Sequence, residues 1–73
     1  MRALLKDKED GTLILIAVTE TCYDPESMEL CLYAGETCYT IEKITQVVAD
    51  SLIQELYENG KADFTQFTAA IEK

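Results

Sequence analysis

The chain has no histidine and no tryptophan, a single proline, three glycines, and six basic residues against fourteen acidic ones. Without histidine the commonest general base and metal ligand are gone, and acid–base work would fall to carboxylates, thiols and tyrosines. Gly11, Gly35 and Gly60 are too scattered for a phosphate-cradling loop and stand where turns or a helix cap are expected. No apolar run approaches the roughly 20 residues of a membrane span. The longest, Leu13 to Val18, has strand length. Met1-Arg2-Ala3-Leu4-Leu5-Lys6 leads straight into charges, unlike a signal peptide, so a cytoplasmic location is the expectation.

The cysteines, Cys22, Cys31 and Cys38, are odd in number and lack the CxxC-like pairing of a zinc site or the even count of a disulfide framework. Small, partly buried thiols are the simpler reading, with a bridge between Cys31 and Cys38 across a hairpin as the alternative. The surroundings of all three are acidic, which disfavours a thiolate nucleophile. Neither a catalytic set, a metal site nor a cofactor motif emerges, and the chain is read as non-enzymatic and cofactor-free.

What is abundant is negative charge. The net charge is −8, and between Glu9 and Gly60 the only base is Lys43. Such a surface repels phosphate and anionic lipid, so direct nucleic-acid or membrane binding is disfavoured and a protein with a basic surface is the complementary partner. The composition is that of small acidic inhibitors, of phage or mobile-element type, that present carboxylates where phosphates would bind. That likeness assigns no role to any residue.

A chain of 73 residues is read as one domain, 1–73, with a marginal core. Ile41 to Gly60 has the strongest helical pattern: Ile41, Ile44, Val48, Ala49, Leu52 and Leu56 share an arc opposite Glu42, Gln46, Asp50, Gln54 and Glu58. Asn59-Gly60 suits a left-handed cap and Thr40 an N-cap. Arg2 to Lys6 and Thr12 to Thr19 read as two strands of a hairpin turned at Asp10-Gly11. The second is apolar on both faces, which suggests a central position. Asp24-Pro25-Glu26 can open a helix or a type I turn. The alternation of Met28, Leu30 and Leu32 with Glu29, Cys31 and Tyr33 favours the turn followed by a strand, with Thr37 to Thr40 as the next. Asp63 with Gln66 resembles a capping box, and Phe64, Phe67 and Ile71 fall on one helical face.

The expected fold is therefore α+β, an antiparallel three- to four-stranded β-meander followed by two C-terminal helices on one face of the sheet. Its expected core is Leu13, Leu15, Leu30, Leu32, Ile44, Val48, Leu52, Leu56 and Phe67. The sheet face opposite the helices carries Glu29 and Tyr33, and with the turn residues Asp24, Glu26 and Glu36 forms the candidate partner-binding set. The function expected is a protein-binding module, an inhibitor or regulator. The alternatives are a self-associating accessory subunit, dimeric through a sheet edge or the Ile53 and Tyr57 flank, and a small-molecule pocket between sheet and helices.

Overall fold

A computed structural model describes residues 1–72. The α+β class, the meander and a helix packed against strands are present, but there is one helix rather than two, and seven strands form two sheets. The order is β1 (Arg2–Lys6), β2 (Leu13–Ala17), β3 (Glu20–Asp24), β4 (Glu29–Ala34), β5 (Thr37–Ile41), α1 (Gln46–Asn59), β6 (Lys61–Asp63) and β7 (Ala69–Glu72). The first sheet has the order β2-β1-β6, with β6 parallel to β1. The second has the order β3-β4-β5-β7, antiparallel throughout.

The apolar run after Gly11 supplies β2 alone, and an unexpected strand, β3, follows it from Glu20. At Val18-Thr19 the chain crosses between sheets: the Val18 N–H reaches the Met1 carbonyl, whereas the Thr19 N–H reaches the Tyr33 carbonyl at 2.7 Å. Thr19 Oγ1 donates to the same oxygen at 3.0 Å. Strand β2 is consequently an edge and not central. Of its two apolar faces, Ile14, Ile16 and Val18 turn inward, while Leu13 and Leu15 are 59% and 60% exposed instead of lying in the core.

Residues Glu29 to Ala34 form a strand after a turn over Pro25 to Met28, with Met28 at φ 58. The helix begins later than its apolar pattern suggests. Lys43 has φ 57, a left-handed conformation that a right-handed helix cannot contain, and Ile41 is already committed to β5. Thr45, not Thr40, is the N-cap, without a side-chain cap bond. The intervening segment is fastened to the hairpin of β3 and β4 instead. The Ile44 N–H donates to the Met28 carbonyl at 3.0 Å, and Tyr23 Oη donates to the Ile44 carbonyl at 2.8 Å. At the other end Gly60 closes the helix as expected, at φ 76, with its N–H on the Leu56 carbonyl at 3.0 Å.

The expected second helix is replaced by a turn and a strand. The Asp63 carboxylate accepts from the Thr65 N–H at 2.8 Å and its hydroxyl at 2.6 Å. This is an Asx-type turn, which competes with helical capping. After it, Ala69–Glu72 pairs with β5, where a short helix would have had no bonding partner beyond itself. Phe64 rather than Phe67 is fully buried. One core, shared by both sheets and the helix, holds Leu5, Ile16, Leu30, Leu32, Ile41, Ile44, Ala49, Leu56 and Phe64, while Leu52 and Phe67 only flank it and Val48 is 38% exposed.

Candidate functional site

The β3–β4 register gathers most of the candidate residues on the outer face of the second sheet. Glu20 stands opposite Tyr33, Cys22 opposite Cys31, and Asp24 opposite Glu29. Directly opposed residues share a face with Cβ atoms roughly 5 Å apart, so Asp24 and Glu29 are like charges in a destabilising position. Asp24, Glu26 and Glu29 thus meet at one hairpin, where Asp24 Oδ1 accepts from the Glu26 N–H at 3.0 Å. Tyr33 lies four residues along β4, about 13 Å away at strand rise. Glu36 is further still, exposed in the turn that joins β4 to β5. The five residues therefore form an acidic end of three carboxylates and a second end of Tyr33 and Glu36, the latter joined by Glu20.

Between the two ends lie thiols. Cys22 is the direct partner of Cys31, while Cys31 faces Thr40 and Cys38 faces Tyr33 on the β4–β5 side. Cys31 and Cys38 are accordingly diagonal neighbours, not the facing pair the sequence suggested, and all three cysteines are free. Burial, reinforced by the adjacent Cys38 sulfur, pushes the Cys31 thiol above its ordinary value. Cys38 and then Cys31 push the Tyr33 phenol above its ordinary value as well. Glu20, Cys22 and this grid escaped sequence reading because β3 was not recognised. The signal was Glu20-Thr21-Cys22-Tyr23-Asp24, a second stretch of period-two alternation after Thr19.

A thiol held above its ordinary value supplies less thiolate for attack at neutral pH. Under limiting iodoacetamide at pH 7.5, Cys22, exposed, should be alkylated before Cys31, which is half-buried. Raising the pH should narrow the gap, and peptide mapping that finds Cys31 modified first would contradict the placement.

The described residues contain no group of three or more His, Cys, Asp or Glu side chains placed to hold a metal, and no helix long and apolar enough to cross a membrane. Their one ion pair is Lys8 Nζ to Glu42 Oε2 at 3.1 Å, so the carboxylates of β3 and its hairpin have no internal counter-ion. An open groove of about 440 Å³ is lined by Leu4 and Leu15 of the first sheet and by Glu55 and Asn59 of α1, with Arg2, Lys61 and Asp63 also at its wall. Comparison with protein families, curated proteins and solved structures finds no match for this chain.

Proposed function

We propose that the protein is a non-enzymatic binding module, an inhibitor or regulator, whose acidic sheet face engages a basic surface on another protein. The observation that carries this reading is the opposition of Asp24 and Glu29 with Glu26 beside them and, among the described residues, no base paired with any of the three. Placing like charges across a strand pair costs stability, and an external cation-bearing surface would relieve it. Tyr33 would add a broad contact area that loses little side-chain entropy on binding. In this reading Asp24, Glu26 and Glu29 form the rim that steers encounter, while Tyr33 and Glu36 contact the partner further along β4.

Immobilised protein incubated with native lysate at low and high salt tests the reading. The expected result is a protein captured at low salt, released by high salt, and basic at its contact surface. Retention of nothing beyond what an acidic carrier of equal charge retains would refute it. A second reading, a self-associating accessory subunit, is favoured by a separate observation: Leu13 and Leu15 are exposed side by side on one strand face.

A further inference from the structure

Strand β2 is a free edge of the first sheet and lacks the features that normally keep an edge from pairing. Its register with β1 is unbroken, and Thr12 to Thr19 contains no charge and no proline. The phase of the ladder follows from two bonds, Val18 N–H to the Met1 carbonyl at 2.6 Å and Asp7 N–H to the Thr12 carbonyl at 2.9 Å. Bonded and non-bonded pairs alternate along an antiparallel ladder, so Ala3–Ile16 and Leu5–Ile14 are bonded pairs. The N–H and C=O groups of Leu13, Leu15 and Ala17 therefore point away from β1. No other backbone group among the described residues bonds to them. The same three residues expose their side chains on the outer face. One added strand would satisfy the backbone groups and extend the apolar face at once.

We propose that β2 pairs antiparallel with β2 of a second copy of this chain across a two-fold axis, fusing the two β2-β1-β6 sheets into one. Charge selects the second copy as the occupant. Two chains of net charge −8 repel over most approaches, but β2 is neutral and its neighbour β1 places Arg2 and Lys6 on the outer face. The β2 edge is thus where like copies meet at least Coulombic cost, and each offers the other the same unpaired groups in an isologous contact. The proposal rests on the self-association reading and is independent of the acidic face.

Sedimentation over a concentration series, combined with amide hydrogen exchange, tests it. The wild-type chain should dimerise, and the Leu13, Leu15 and Ala17 amides should slow in step with the dimer fraction. The Ile14 and Ile16 amides, bonded within the sheet, should be slow at every concentration and report the fold. Leu15→Lys should give a monomer at concentrations where wild type is dimeric, with the Ile14 and Ile16 amides still protected. If that variant loses their protection, the wild-type exchange pattern alone decides. A wild-type monomer at high micromolar concentration overturns both the proposal and the self-association reading; it is also the result expected if a strand of another protein occupies the edge. A dimer whose Leu13, Leu15 and Ala17 amides exchange as in the monomer, or which Leu15→Lys leaves intact, overturns the edge alone.

Discussion

Phe64→Ala should abolish most of the stability of this protein. Phe64 is fully buried where β6 ends, and its N–H is bonded to the Leu4 carbonyl at 2.9 Å, so the ring is anchored by backbone on a strand of the first sheet. Truncating a buried phenylalanine costs about 3–5 kcal/mol through lost transfer energy and the cavity left behind. A chain of 73 residues has total stability on the order of 4–11 kcal/mol, at roughly 0.05–0.15 kcal/mol per residue. Phe67 lies at the margin of the same core and is half-buried, so Phe67→Ala should cost roughly 1 kcal/mol. Denaturant titration of the two variants checks the difference. Equal losses, or a greater loss at Phe67, would restore the helical placement of these rings.

The second large effect concerns which side of the helix is buried. Ala49, Leu52, Ile53 and Leu56 form the packed line at i, i+3, i+4 and i+7, with Ala49 and Leu56 fully buried. Leu56→Ala should cost about 2–5 kcal/mol, whereas Val47→Ala, at a residue 80% exposed, should change stability by no more than about 0.5 kcal/mol. Alanine is also the better helix former, so a slight gain at Val47 is in keeping with the placement. Midpoints that fall equally in both variants would contradict it.

The sequence pattern centred the helix on Val48 because it counted Ile41 and Ile44, which are buried but precede the helix. Removing them turns the apolar arc toward Ala49. Elements made by local chemistry were legible: the Gly11 hairpin, the alternating strand from Glu29, and the Gly60 cap at its left-handed φ. What escaped depends on distant partners. Ala69 to Glu72 contains good helix formers and becomes a strand only because β5 offers an unpaired edge. The two apolar faces of β2 were equally eligible for the core, and periodicity cannot choose between equals.

At the candidate site, the same limits applied. Asp24, Glu26 and Glu29 were legible as one turn-centred group because they are close in sequence, and the hairpin keeps them together. Tyr33 was legible as sharing the Glu29 face by simple alternation. The opposition of Cys22 to Cys31, and of Glu20 to Tyr33, required β3 to exist and to take its particular register. Spacing along one strand carries no information about which residue stands across from it.

The central claim is that carboxylates at the β3–β4 hairpin guide a basic partner, and the association rate of that partner with the Asp24→Lys, Glu26→Lys, Glu29→Lys variant measures it most directly. The fold should survive. Losing the exposed Glu26 N–H bond to Asp24 is small, and lysines at both positions of the opposed pair repel as the two carboxylates do, so the cost across the strand pair is little changed. Rim charges act chiefly on encounter and are screened beyond about 8–10 Å at ordinary ionic strength. The expected result is association several-fold slower than wild type at low salt, converging with it as salt rises, at an unchanged denaturation midpoint. Equal rates for the two proteins, with a flat salt dependence in both, would contradict the account and leave the acidic face as a device for solubility.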